Sequence, residues 1–295
     1  MQTSAQRHNK TEAITPGEYL FTADDFQQIA TLIKDASGIS LTESKVSLVY
    51  SRLAKRLRAK DIKTFREYCA FVKSDDGAEE RNNMLNALTT NVTRFFREPH
   101  HFDILKSTVL PPLLAQAKRG GRVRIWSSAC SSGEEPYSIA LTLLSLLPDA
   151  TSYDIKILAT DIDKNILDRA QKGVYRTSNV EPVPTNLQQK YFDKVGNAGE
   201  ELCVNDTVKK LITFRPLNLI RPWPVKGPFD FVFCRNVVIY FEEDTQQELW
   251  QKYYNVLAPG GWLFIGHSER VTGPAAAAFS SEGMTAYRDK TGGER

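Results

Sequence analysis

Residues 127–147 read SSACSSGEEPYSIALTLLSLL. A β-type run, VRIW (123–126), enters this stretch, and an apolar helical pattern leaves it. Between the two lies a loop of small residues with a single glycine, Gly133. Strand, small-residue loop and helix together form the start of a nucleotide-binding α/β unit. The G-x-G-x-x-G spelling is absent, and two carboxylates, Glu134 and Glu135, follow the glycine. They would repel a pyrophosphate, so the loop suits a cationic or neutral ligand better. Ser132 and Glu135 also fit an S-x-x-E capping box, which is the plain structural reading of Glu135.

Downstream, strand-like and helical runs alternate: IKILATD, KNILDRAQKG, FDFVFCRN, EEDTQQELWQKYYNVL and GWLFIG. Alternation of this kind predicts a doubly wound, mostly parallel sheet with helices on both faces. One region, about 176–215, breaks the rhythm with EPVPTNLQQKYF, a turn-like VGNAGEE and two strand candidates, LCVN and KLITF. It reads as a small antiparallel insert. Upstream, EPHHFDILKSTVLPPLL reads as a helix that opens at Pro99 and is closed off by Pro111 and Pro112. From Phe21 to about Leu88 the pattern is helical throughout. Phe26, Ile29 and Ile33 share a face and Gly38 stops their run, while Val46, Val49, Tyr50, Leu53 and Leu57 share another. Residues 1–17 are polar and aperiodic and are expected to form a disordered tail.

In an open α/β sheet, ligands bind beyond the carboxyl ends of the strands. Asp161 ends the second strand, 28 positions after Gly133 (161 − 133). A carboxylate there can accept hydrogen bonds from ribose hydroxyls. Its plain alternative is helix capping, but Asp163 is better placed for that task. Asn218, Arg235 and Asn236 follow later strands. The helix–LAPGG–strand run near residue 260 is frequent in S-adenosylmethionine (SAM)-dependent methyltransferases, though alone it is an ordinary tight connection. SAM carries an ammonium, a sulfonium and a ribose but no phosphate, which suits the acidic loop.

Composition bounds the rest. The chain has 295 residues, 41% of them hydrophobic, with 38 Lys and Arg against 35 acidic residues. That balance does not suggest a nucleic-acid binder. No apolar run approaches the ~20 residues of a membrane span, and the N-terminus lacks the apolar core of an export signal. Cys69, Cys130, Cys203 and Cys234 form no C-x-x-C pair, so reduced thiols in the cytoplasm are expected. The few scattered histidines predict no metal site.

Taken together and in order, NVTRFFREPHHF, IWSSACSSGEEPYSIA, ILATDIDKNILDRAQKGVY, RPLNLI, GPFDFVFCRNVVIYF and LAPGGWLFIGHSE resemble the CheR family of chemotaxis receptor methyltransferases, over about residues 21–288. The resemblance implies transfer of a methyl group from SAM to receptor glutamates, leaving S-adenosylhomocysteine. It implies a Rossmann-like SAM-binding domain over 99–295, a linker over 91–98 and a helical domain over 18–90. Asn91, Thr93 and Arg97 would reach over the SAM site. Glu135 and Asp161 would contact the methionine amine and the ribose. Asn218, Leu219, Arg235 and Asn236 would flank the adenosine, and Arg97 and Tyr240 would sit nearest the transferring methyl. Without the resemblance, Arg97 reads as a linker residue pairing with Glu98 or solvent, and Tyr240 as packing beside Phe241.

The partners expected are methyl-accepting chemotaxis receptors. A stripe of Lys45, Arg52, Arg56 and Lys63 beside an apolar helix face would dock an acidic receptor helix, and the insert could take a receptor tail by strand addition at LCVN or KLITF. The bland reading of the stripe is a solvated face. A monomer with neither nucleic-acid partner nor membrane insertion is expected. Amino-methylating enzymes of nucleic-acid bases, the runner-up, usually carry D/N-P-P-Y/F where this chain reads RNVVIY, and those prolines are absent. A binding module that has lost catalysis is the third class, disfavoured by the retained Asp161, Arg97 and Tyr240.

Overall fold

The computed structural model describes residues 12–196 and 200–291, and the chain divides into two compact units at Thr90/Asn91. Of the tail expected over 1–17, residues 1–11 lie outside the described residues. Ala13 pairs with Thr22, and the Ile14 N–H donates to the Phe21 carbonyl. Among the described residues no helix is long and apolar enough to cross a membrane.

The first unit holds α1 (Ala23–Ser37), α2 (Val46–Ala59), α3 (Phe65–Lys73) and α4 (Ala78–Leu88). Local chemistry sets the ends of α1. Thr22 and Asp25 form a reciprocal capping box, and Gly38 closes the helix at φ 79°, a conformation that favours glycine. Phe26, Ile29, Ile33, Val49, Leu53 and Leu57 are buried, as their spacing predicts.

The basic stripe on α2 is not a free face. The Arg56 guanidinium donates Nε to Oε1 of Glu80 at 2.8 Å and Nη2 to Oε2 at 2.5 Å, and the Tyr68 hydroxyl donates to the same carboxylate. Glu80 is 1% exposed. Arg52 donates to the carbonyls of Ala87 and Thr89, at the end of α4. A buried carboxylate and the unpaired carbonyls of a helix terminus both demand donors, and two of the four expected docking residues meet that demand. Lys45 and Lys63 are exposed, and Lys63 pairs with Asp61.

The second unit begins with α5 (Pro99–Ile104), a π turn over Leu105–Val109 and α6 (Leu110–Lys118). Pro111 and Pro112 therefore do not close a helix. They fall in the first turn of α6, where a missing N–H costs little, and the π turn resets the ladder ahead of them. There follow β1 (Val123–Ser127), α7 (Glu134–Leu146), β2 (Ile155–Asp161), α8 (Lys164–Lys172), β3 (Val174–Arg176), α9 (Thr177–Val180), α10 (Thr185–Tyr191), β4 (Phe192–Val195), β5 (Glu201–Val204), α11 (Asp206–Lys209), β6 (Ile212–Pro216), β7 (Phe229–Cys234), α12 (Glu243–Val256), β8 (Leu257–Ile265), β9 (Phe279–Ser281) and β10 (Ala286–Asp289).

Seven strands form the main sheet in the order β6-β2-β1-β7-β8-β10-β9. Pairing is parallel from β6 to β8, and β10 runs antiparallel to β8 and β9. Successive connections leave β1 first toward β2 and later toward β7. The strand order reverses there, so a crevice opens beyond the carboxyl ends of β1 and β7. Ile125, Ile157, Phe231, Phe233 and Phe264 are fully buried in this sheet.

The insert is a separate antiparallel sheet of order β3-β5-β4. The LCV of LCVN falls within its central strand, β5, and the Asn205 that follows caps α11. KLITF does not belong to it. It forms β6, an edge of the main sheet paired in parallel with β2, because its apolar residues Ile212 and Phe214 are buried against the larger core.

Candidate active site

The loop after β1 is tied down by its own backbone. Cys130 N–H donates to the Thr160 carbonyl, and Ser131 N–H to Oδ2 of Asp161 at 2.8 Å. Gly133 sits at φ 99°, and a Cβ there would lie 2.9 Å from the Tyr175 hydroxyl and 3.0 Å from Ala170. The glycine is thus required both by conformation and by space.

Glu135 does not close a capping box. The N-cap position is Gly133, and Ser132 instead donates to its neighbour Glu134 at 2.6 Å. Glu135 turns to the crevice, where it accepts from the Ser127 hydroxyl at 2.6 Å and from Nε of Arg235 at 2.7 Å. Glu135 and Arg235 are each 6% exposed. A buried guanidinium needs a counter-charge more than a helix end needs a second cap. Burial raises the carboxyl of Glu134 above its ordinary range.

Asp161 ends β2 and is 8% exposed. Its Oδ2 accepts from Ser131 and its Oδ1 from the N–H of Asp163 at 3.0 Å. A carboxylate offers about four acceptor sites, so each oxygen keeps one for a ligand. Burial raises its pKa, and backbone bonds, those from Asp163 and Ser131 foremost, pull against that rise. Asp163 is the N-cap of α8, accepting from Asn165 and Ile166. The cap falls to Asp163, as the sequence predicts.

Asn91 links both. Its side chain donates to Asp163 at 3.2 Å, and its carbonyl accepts from the Ser131 hydroxyl at 3.2 Å. Thr93 lines a cavity of about 410 Å³ together with Asn91, Ser132, Glu134, Asp163 and Arg169. Phe95 anchors this segment, buried edge-on against Tyr175 and Phe192. The guanidinium of Arg97 donates to the Val92 carbonyl at 2.8 Å, while its own carbonyl accepts from Nη1 of Arg235.

Arg235 is the hub that sequence reasoning under-read. Besides Glu135 and the Arg97 carbonyl, it faces Nδ1 of His101 at 3.2 Å and Oε2 of Glu98 at 3.7 Å. His101 is fully buried and its Nε2 meets the Thr285 hydroxyl at 2.9 Å. Burial and the adjacent Arg235 charge push its pKa down to about 3, so the ring is neutral. Burial disfavours the charge on Glu98, but Arg235 and the bonds from His267 win and lower its pKa. Glu98, His100 and His101 lie close enough to share an ion, yet Arg235 stands against two of them and opposes a cation. Glu98 and His101 lay in the quoted stretch REPHHF, but only the tertiary contact with Arg235 gives them a role.

Asn236 follows Arg235 at φ 58° and donates from its side chain to Glu98 at 3.4 Å. Tyr240 closes a one-turn helix, Val238–Tyr240, and is half-buried. Asn218 and Leu219 lie beyond β6, where Asn218 accepts from Ile220 N–H at 3.1 Å and Leu219 is buried. The contacts thus join Asn91 to Asp163 and Ser131, Ser131 to Asp161, and Glu135 to Arg235, the Arg97 backbone and Glu98. Asn218, Leu219 and Tyr240 stand on loops leaving the same edge of the sheet.

Two family models cover these units. "CheR methyltransferase, SAM binding domain" matches residues 91–288, and "CheR methyltransferase, all-alpha domain" matches residues 24–89. Among curated relatives, a probable chemotaxis protein methyltransferase of Rhizobium etli is 54% identical over 89% of this chain and 98% of its own length. Chemotaxis protein methyltransferase 2 of Pseudomonas aeruginosa is 42% identical over 92% of this chain and 94% of its own. The chemotaxis protein methyltransferase of Escherichia coli is 40% identical, covering 89% of each chain. With both domains present in order and such identity along most of its length, the chain belongs to the CheR methyltransferase family and is a SAM-dependent methyltransferase.

Proposed function

We propose that the protein methylates glutamate side chains on the cytoplasmic helices of chemotaxis receptors, giving glutamate methyl esters and S-adenosylhomocysteine. The observation that carries the reading is the crevice beyond β1 and β7. Its floor is the buried Glu135–Arg235 pair, and Asp161 beside it retains an open acceptor site on each oxygen. SAM supplies an electrophilic methyl on a sulfonium. The donor set fits it: carboxylates for an ammonium and ribose hydroxyls, and no cluster of cations for a phosphate. Asp161 would hold the ribose, Glu135 the amine side, and Asn91 and Thr93 would cover the ligand. Asn218, Leu219, Arg235 and Asn236 would bound the adenosine.

The residues need not remove a proton. A glutamate side chain is ionised at neutral pH, since its unperturbed pKa lies near ~4.3. What remains is orientation and exclusion of water. Arg97 would turn its planar guanidinium from the Val92 carbonyl to the substrate carboxylate, and Tyr240 would bound the methyl path.

Docking of an acidic receptor helix would fall to exposed cations such as Lys45 and Lys55 rather than to Arg52 and Arg56. A receptor tail that adds a strand to the insert would use β3 or β4, because β5 is paired on both sides. The deciding experiment is incubation with tritiated SAM and receptor cytoplasmic fragments. Label that appears in the receptor and is released by mild base supports a methyl ester. Base-stable label, or label in no receptor fragment, overturns the substrate assignment.

A further inference from the structure

The two neighbouring strands β7 and β8 end together, and the backbone after each would leave N–H groups without partners. One side chain collects them. Glu269, 4% exposed, accepts through Oε1 from Val237 at 3.0 Å and Val238 at 2.8 Å. Through Oε2 it accepts from Asn236 at 3.0 Å and Gly266 at 2.5 Å. The approach is so close that a Cβ on Gly266 would lie 2.5 Å from the Asn236 side-chain nitrogen and 2.9 Å from Glu269 itself. The clamped turn begins right after Arg235 and ends two residues before Tyr240. Asn236 within it sits in the left-handed region, which asparagine tolerates better than most residues with a side chain.

We infer that Glu269 is a positioning residue for methyl transfer: its carboxylate sets the turn that presents Asn236 and Tyr240 to the crevice. The inference rests on the roles proposed above for those two residues. A carboxylate is required rather than any polar group. Each oxygen takes two N–H donors, so an amide in its place would turn its NH2 toward one such pair. Four satisfied donors on one buried anion also make the turn rigid, and loss of rigidity at a site that works by alignment costs rate.

The test compares E269Q, with N236A and Y240F as controls, by two readouts. The first is amide hydrogen exchange, which reads the clamp without reference to the reaction. The second is kcat at saturating SAM and receptor fragment, at a temperature where the variants are folded. In E269Q, protection should fall at Asn236, Val237, Val238 and Gly266, while Ile125, Ile157 and Phe231 in the core stay protected. The kcat should fall at least about tenfold. Loosened exchange with unchanged kcat would make Glu269 a structural residue only and overturn the inference. A fall in kcat with unchanged exchange at 236–238 would overturn it as well. If N236A and Y240F leave kcat intact, the reading of the site fails, even where the exchange result stands. Should E269Q not fold, E269D carries the same comparison, because it keeps the charge and draws the carboxylate back from the four donors.

Discussion

Replacing Asp161 by alanine should weaken binding of S-adenosylhomocysteine by roughly 10- to 100-fold. The structure supplies the terms. Two of the carboxylate's acceptor sites serve Ser131 and Asp163, which leaves two for ribose hydroxyls. A hydrogen bond to a charged group contributes ~1.5–3 kcal/mol net. The carboxylate is buried and its pKa is raised, so part of the second bond restores what burial removed, and one such bond is the safer total, equivalent to roughly 10- to 100-fold. The same substitution strands two backbone donors, at a stability cost of ~1–3 kcal/mol. For a unit of this size that lowers Tm by about 2–4 °C per kcal/mol. Binding should therefore be measured by calorimetry well below the transition. Asp163→Ala is the control. It loses a helix cap worth about 1 kcal/mol and should leave affinity nearly unchanged. A 2′-deoxyribose analogue adds the second arm: wild type should discriminate against it, and Asp161→Ala should not. Equal affinity in folded wild type and Asp161→Ala, or equal discrimination by both, refutes a ribose contact.

Arg97→Ala should reduce kcat by about 10²-fold, as loss of one positioned electrostatic group does, with a smaller effect on cofactor affinity; normal turnover in the variant would return Arg97 to its contact with Val92. Arg56→Ala should destabilise the helical unit by about 3 kcal/mol in urea unfolding, because it leaves the buried Glu80 charge short of its main partner. Lys45→Glu, just before the same helix, should be near neutral, and equal effects would refute the distinction. His101 makes stability pH-dependent. Its folded pKa lies below the unfolded value, so the unfolded state binds the proton first. Stability should fall as pH drops from about 6.5 toward about 3, with a slope of up to ~1.4 kcal/mol per pH unit from this one group. Arg235, Glu98 and His100 face the ring, so the measure is the difference between wild type and His101→Gln, which should be shallower. Parallel pH profiles would refute the assignment.

What the sequence by itself determined is what local chemistry controls. The strand–loop–helix at 123–146, the Gly38 stop and the Asp163 cap all depend on residues within a few positions of one another. Each was legible from spacing and side-chain type. The order of strand and helix predicts a doubly wound sheet, and the main sheet is wound that way. The tertiary structure decided whatever depends on a distant partner. The S-x-x-E pattern looks like a cap until Arg235, a hundred residues on, claims Glu135. The stripe on α2 looks solvated until α4 brings Glu80 and its own carbonyl end against it. KLITF looks like a partner for LCVN until β2 pairs with it. Glu269 has no signal in its neighbours at all, since three of its four donors lie more than thirty residues away. Buried charges and unpaired backbone groups must find partners wherever the fold puts them, and periodicity carries no information about where that will be.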